Sequence, residues 1–164
     1  MIYYQMGHGL LPKEFIVVIN GNTLCEKEPI AYMLSSKARK HGVSYGLSEA
    51  GYDICIKQEV ILHPFRRFRL ASTVDFFNMP DDLVAIVHDK STWARRGLSV
   101  FNTVIEPGWC GYLTLELVYH SYMPLRIPAG AGIAQVIFHS ITESAGYTGK
   151  YQNQGDEPVK AISL

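Results

Sequence analysis

The sequence predicts an all-β domain, a sandwich or barrel with one or two short helices, and three observations predict it. Short segments rich in β-branched and aromatic residues recur along the chain with turn residues between them. No internal repeat or low-complexity run breaks that pattern. With 164 residues, 48% of them hydrophobic, the chain suits one domain, residues 1–164, with its own core and no linker.

In order, strands are expected at Glu14 to Ile19 (EFIVVI), Tyr52 to Leu62 (YDICIKQEVIL), Arg67 to Thr73 (RFRLAST) and Leu83 to His88 (LVAIVH). Further strands follow at Leu98 to Asn102, Tyr112 to His120, Leu125 to Ala129 and Ile133 to Ser140. A helix is expected over Glu28 to Gly42, where Pro29 could begin it, basic residues fill the last turn and Gly42 could end it. A shorter one starts at STWARRG, with Ser91 as N-cap and Gly97 as its stop. After Ser140 the chain turns polar and glycine-bearing, and on its own reads as a mobile tail.

Charge and cysteine content narrow the function. Fifteen basic and fifteen acidic side chains give a formal net charge of zero, so there is no broad footprint for a nucleic acid polymer or an acidic membrane. A small anionic ligand in a local basic pocket remains open. No apolar run approaches the ~20 residues that span a bilayer, and no basic-then-apolar leader precedes a small-residue cleavage site, which reads as a cytoplasmic protein. Cys25, Cys55 and Cys110 are an odd, widely spaced set and read as reduced thiols. The six histidines are scattered, and no close cysteine pair follows an H-x-E element, so a zinc-activated water of the cytidine-deaminase kind lacks its ligands.

The stretch GYLTLELVYH sets a carboxylate, Glu116, in the middle of a strand. Strand alternation puts Leu113, Leu115 and Leu117 on one face, the core face, and Tyr112, Thr114, Glu116 and Val118 on the other. A solvated sheet surface would account for Glu116 if it stood alone. Upstream, HDKSTWARRG gathers Lys90, Ser91, Thr92 and Arg95 at a strand end, where a first helical turn also offers free N–H groups. Two hydroxyls and two cations so arranged suit a polyanion. An ordinary helix cap with a solvated basic turn is the competing explanation.

Five segments occur in a fixed order: SYGLSEAGYDI, MPDDLVAIVHDKSTWARRGL, IEPGWCGYLTLEL, IAQVIF and GKYQNQ. In that order they resemble the trimeric dUTPase and dCTP deaminase superfamily, and within it the deaminase branch. Residues 1–43 bring no matching motif. The resemblance implies a distorted jelly-roll, the dUTPase-like β-clip, assembled as a homotrimer with active sites at subunit interfaces. It also implies that residues 141–164 form a lid over the nucleotide.

In similar enzymes the glutamate of the LTLEL strand carries protons, taking one from water that attacks C4 of cytosine, protonating N3 and helping ammonia leave. Glu116 matches it, while Ser91 and Arg95 match the residues that hold the water and stabilise its surroundings. A main-chain carbonyl before the I-[DE]-P-G-W turn also holds that water. The link from Arg95 to Glu106 is shorter than in many relatives, so Thr103 or Val104 must supply it. Lys90, Thr92, Tyr147, Lys150 and Gln154 match positions that hold the triphosphate, Thr114 joins the substrate-binding set, and Glu106 matches an aspartate that faces the deoxyribose 3′-hydroxyl. Mg²⁺ is expected to arrive with the triphosphate, without zinc. Asp53, in AGYD, is expected to be structural.

The implied activity is deamination of dCTP to dUTP and ammonia, because plain dUTPases lack a glutamate at the position of Glu116. Two alternatives stay open. One is hydrolysis of the triphosphate to dUMP and pyrophosphate, alone or after deamination, with Glu106 activating water. The other is a catalytically silent nucleotide-binding trimer.

Overall fold

The computed structural model of the chain describes residues 17–163. It begins with β1 (Val18–Ile19), α1 (Gly21–Lys27), β2 (Lys37–Lys40), β3 (Val43–Leu47), β4 (Tyr52–Cys55) and β5 (Val60–Leu62). Then come β6 (Phe68–Asn78), β7 (Leu83–Asp89), α2 (Ser91–Ala94), β8 (Leu98–Val100) and β9 (Val104–Ile105). The last three strands are β10 (Cys110–Tyr119), β11 (Leu125–Ile127) and β12 (Gly132–Ser140).

One sheet runs β2-β3-β4-β12-β7-β9, and β1 pairs with β12 beyond the end of β4. A second sheet runs β6-β10-β8, and β5 pairs with β11. All these pairings are antiparallel. A single core draws from both sheets, with Ile54, Leu83, Val136 and Phe138 from one and Phe77, Leu115 and Leu117 from the other. The all-β expectation, with two short helices, is what the described residues adopt.

The long helix expected over Glu28 to Gly42 does not form. The helix lies earlier, over Gly21–Lys27, and Glu28 ends it in the left-handed conformation at φ 46°. Pro29 therefore follows a helix stop, a position proline favours. Gly42 is a hairpin residue: His41 and Gly42, at φ 53° and 77°, form the two-residue turn that pairs Lys40 with Val43. Positive φ at both central residues gives the twist a tight hairpin needs.

Other boundaries move for identifiable reasons. The YDICIKQEVIL segment splits into β4 and β5 because Lys57 and Gln58 turn aside to β6. Lys57 N donates to Ser72 O at 2.8 Å, and the Gln58 carboxamide bonds both the amide and the hydroxyl of Ser72. The cap of α2 is Lys90, whose carbonyl accepts from Trp93 N and Ala94 N, so Ser91 is the first helical residue and not the cap. Gly97, at φ 88°, does follow that helix. Of the first expected strand, Val18–Ile19 is a strand, and the Glu14 to Ile16 part lies outside the described residues.

Leu115 and Leu117 are fully buried, and Leu113 is partly buried and packs against the same core; opposite it Thr73, Val74 and Asp75 of β6 form a bulge. Thr73 holds the bulge, accepting from Leu113 N at 3.0 Å and donating to Asp75 O at 2.8 Å. Asp75 ties it to the other sheet by accepting from Cys55 N at 2.6 Å.

Burial raises the Asp75 carboxyl from 3.8 to about 6, against the opposing pull of the Cys55 N–H. Burial, with Asp75 next in effect, also pushes the Cys55 thiol up to about 12, which makes it an inert core thiol. The linkage sign for Asp75 follows from the raised value. Below about pH 4 both folded and unfolded chains hold the proton and its contribution is complete; as pH rises through about 6 the native state must give up a proton it binds more tightly, and stability falls. Two pKa units correspond to about 3 kcal/mol. Asp75→Asn keeps the acceptor for Cys55 N and removes the titration. Its stability advantage over the parent, read by urea denaturation, is expected to grow from pH 4 to pH 7.5 by about 2–3 kcal/mol.

Candidate active site

Glu116 leaves β10 into an open cleft of about 430 Å³. Its strand is held on both sides: Glu116 pairs with Leu70 of β6, and its carbonyl accepts from Phe101 N at 2.9 Å. Thr114 lines the same cleft two residues earlier, with Phe68 and Leu70 of β6 beside it. Glu106, from the turn after β9, forms another wall together with Thr103 and Val104. Two carboxylates therefore open into one concave site, and the Glu116 side is partly lined by apolar groups.

The IEPGW turn and the carboxy-terminal segment are built against one another. Trp109 is buried, and its indole N–H donates to Tyr151 O at 2.7 Å. Pro107 O accepts from Tyr147 N at 2.8 Å, while Gln152 bonds Cys110 N and Gly108 O. Gly111 sits at φ 142°, and a Cβ there would lie 2.7 Å from Gln154 N, so glycine is what lets the segment approach β10. Tyr112 N then donates to Gln154 O at 3.0 Å.

The segment read as a mobile tail is thus seated in the chain's own cleft. Gln154 Oε1 accepts from the Thr114 hydroxyl at 3.0 Å, and Val159 N donates to that same hydroxyl oxygen at 3.0 Å. Beyond the cleft, Lys57 Nζ donates to Asp156 O, Asp156 Oδ2 and Glu157 Oε1 at 3.0, 2.7 and 2.9 Å. Those two carboxylates hold the Lys57 ammonium above its ordinary range.

The structure gathers only part of the residue set chosen from sequence. Glu106, Thr114, Glu116, Tyr147 and Gln154 line one cleft. Ser91, Thr92 and Arg95 do not: they are exposed, on α2 and at its C-cap, anchored by Trp93, whose indole N–H donates to Gly132 O at 2.7 Å inside the core. Lys150 is not in the lining either; it donates to Ile162 O at 2.7 Å, and its ammonium lies 5.4 Å from the ring centre of Tyr151, which does line the cleft. Lys90 is committed elsewhere. Its ammonium lies 2.5 Å from Asp53 Oδ2, with side chains only 10% and 5% exposed, so it braces the β7–α2 junction to β4. Asp53 is correspondingly structural. Removing either partner would leave the other charge buried and unpaired, a change that typically costs about 3–5 kcal/mol.

Sequence reasoning missed Asn102, Phe68 and Leu70 as cleft residues. The signal for Asn102 was the polar residue that ends the apolar alternation of LSVFN. Nothing marked Phe68 and Leu70 apart from any other strand hydrophobes. Among the described residues no three His, Cys, Asp or Glu side chains come together as a metal-binding group.

Comparison with known proteins agrees with this geometry. A family model described as dCTP deaminase-like matches residues 39–141. A dCTP deaminase of Campylobacter jejuni subsp. doylei is 38% identical over 145 residues, covering 68% of this chain and 78% of its own length. Among solved structures, the 2′-deoxycytidine 5′-triphosphate deaminase of Agrobacterium tumefaciens superposes with a TM-score of 0.61 at 11% identity, over 79% of this chain and 50% of that one. A mutant dUTPase of the S. aureus phage phi11, described with a structural Mg(II) ion, superposes with a TM-score of 0.53 at 15% identity, over 84% of this chain and 97% of that one. The two structures share the fold, and the matched residues run through β4, the α2 turn, the carboxylate-bearing strand β10 and β12. On that evidence the chain belongs to the dCTP deaminase-like family.

Proposed function

We propose that this chain deaminates dCTP to dUTP and ammonia, with Glu116 carrying the protons. The observation that carries this reading is a carboxylate projecting into a cleft from a strand paired on both sides, which fixes its aim better than a loop would. Water would lose a proton to Glu116 as its oxygen bonds to C4. Glu116 would hand a proton to N3, and then help the exocyclic nitrogen depart as ammonia while the C4 carbonyl forms.

Ser91 and Arg95 are exposed and are not among the residues that line the cleft with the Glu116 of their own chain. The reading therefore assigns them to a neighbouring copy in a homotrimer, with each working site completed across an interface. Thr92 would reach the triphosphate from the same helix. Thr114, Tyr147, Gln154 and Lys150 would grip the nucleotide when the segment 141–164 rearranges as a lid, and Glu106 would face the deoxyribose. Lys90 supports them indirectly, by bracing the start of α2.

With no three-ligand group among the described residues, Mg²⁺ would ride on the triphosphate oxygens, with one or two carboxylates at most. Bound there, it would neutralise phosphate charge. Free nucleotides as substrates also fit a cytoplasmic protein.

A second reading is favoured by Glu106, whose carboxylate opens into the same cleft: hydrolysis of the triphosphate, alone or following deamination. One assay separates the cases. The purified chain is incubated with dCTP and Mg²⁺ and products are resolved by chromatography. We expect dUTP and ammonia. Formation of dUMP and pyrophosphate from dCTP would add the second activity. Unchanged dCTP, whether dUTP is hydrolysed or not, would contradict deamination.

A further inference from the structure

Three residues, Phe101, Asn102 and Thr103, carry the chain from β8 to β9, and they peel away from β10 at the level of Glu116. Leu98, Ser99 and Val100 pair with Tyr119, Val118 and Leu117, and Phe101 N still donates to Glu116 O. One residue further, the β8 main chain no longer supplies partners, and the Glu116 N–H and the Thr114 carbonyl would face an empty flank. The Asn102 side chain takes both. Its Oδ1 accepts from Glu116 N at 3.1 Å and its Nδ2 donates to Thr114 O at 2.6 Å. A main-chain donor on one side and a main-chain acceptor on the other fix which way round the carboxamide sits.

We propose that Asn102 is a positioning residue for Glu116, its carboxamide standing in for a peptide unit that continues the β8–β10 ladder beneath the carboxylate. This rests on the reading of Glu116 as proton carrier. The substitution of side chain for main chain has a purpose in the geometry. Had β8 continued, the backbone of residues 101–103 would lie against Thr114 and Glu116, where Asn102, Thr103 and Val104 now form a wall of the open cleft. The departing chain makes room for a ligand, and the amide keeps the strand from losing its direction there.

Few side chains could do this. A carboxylate offers acceptors only and would oppose the Thr114 carbonyl. A serine hydroxyl is too short to meet two groups two residues apart, and leucine meets neither. Because small misplacements of a reacting group cost rate far more than binding, the loss should fall on kcat.

The test uses the full-length protein, with Asn102→Ala, Asn102→Asp and Glu116→Gln measured in parallel with dCTP. Each rate is normalised to the nucleotide-binding fraction. Both Asn102 variants are expected to lose kcat by about tenfold or more while KM stays within about threefold. If Asn102→Ala does not fold, the nearly isosteric Asn102→Asp decides by the same criterion. A kcat within about twofold of the parent, or a loss confined to KM, overturns the positioning role. An inactive Glu116→Gln beside unaffected Asn102 variants overturns this proposal alone. An active Glu116→Gln overturns both it and the reading on which it rests.

Discussion

Glu116→Gln is expected to lose deamination by about a thousandfold in kcat, within the 10²–10⁴ range that a positioned general acid–base contributes. The change is isosteric, and the strand that carries it is held independently of the side chain, by β6 on one flank and by Phe101 and Asn102 on the other. An amide can still accept and donate hydrogen bonds, so the nucleotide should bind with an affinity within a few-fold of the parent. What it cannot do is take a proton from water and return it to N3 or to the leaving nitrogen. The expected result is a folded, dCTP-binding protein that releases no ammonia above background, read by steady-state ammonia assay beside a direct binding titration. Turnover near the parent rate would remove Glu116 from its role. Lost binding together with lost turnover would make it a contact residue instead.

Much of this site was legible because its signals are local. The alternation in GYLTLELVYH places Thr114 and Glu116 on one face and Leu115 and Leu117 on the other, and the strand shows that. IEPGW reads as a turn, and it is one. Other features of the site are set by interactions that lie far away in sequence. Leu113 is less buried than Leu115 and Leu117, beside a bulge whose extra residues are in β6, 40 positions earlier along the hydrogen bond from Leu113 N to Thr73. Lys90 reads as a phosphate ligand from its neighbours, and nothing near it in sequence signals its ion pair with Asp53, 37 positions away. Composition alone cannot announce such a partner.

The same limit explains the helix misplaced onto Glu28 to Gly42. Basic residues followed by glycine fit a helix end and a hairpin turn equally well, and only pairing of Lys37–Lys40 with Val43–Leu47 selects the hairpin. The carboxy-terminal segment is the clearest case. Its polar, glycine-bearing composition says nothing of Trp109, Thr114 and Lys57, which together hold it in place. Glycine at position 111 was visible, but its reason, the approach of Gln154, is a tertiary fact.

The residues proposed for catalysis lie in two places on one chain: Glu116 within a cleft, Ser91 and Arg95 outside it at the exposed α2 turn. Its central claim is that a working site takes Glu116 from one copy and Arg95 from another. Arg95→Ala alone and Glu116→Gln alone should each be nearly inactive, because in either pure assembly every site lacks one of the two groups. Mixing the two variants in equal amounts, through unfolding and refolding so that copies exchange, changes that count. A site is whole when its glutamate comes from the Arg95→Ala chain and its arginine from the Glu116→Gln chain, so about a quarter of the sites in a random symmetric assembly are intact. The measurement is the deamination rate of the mixture against refolded parent protein. Recovery to about a quarter of the parent rate is the predicted result, and a mixture no more active than its two components would contradict a site shared between copies.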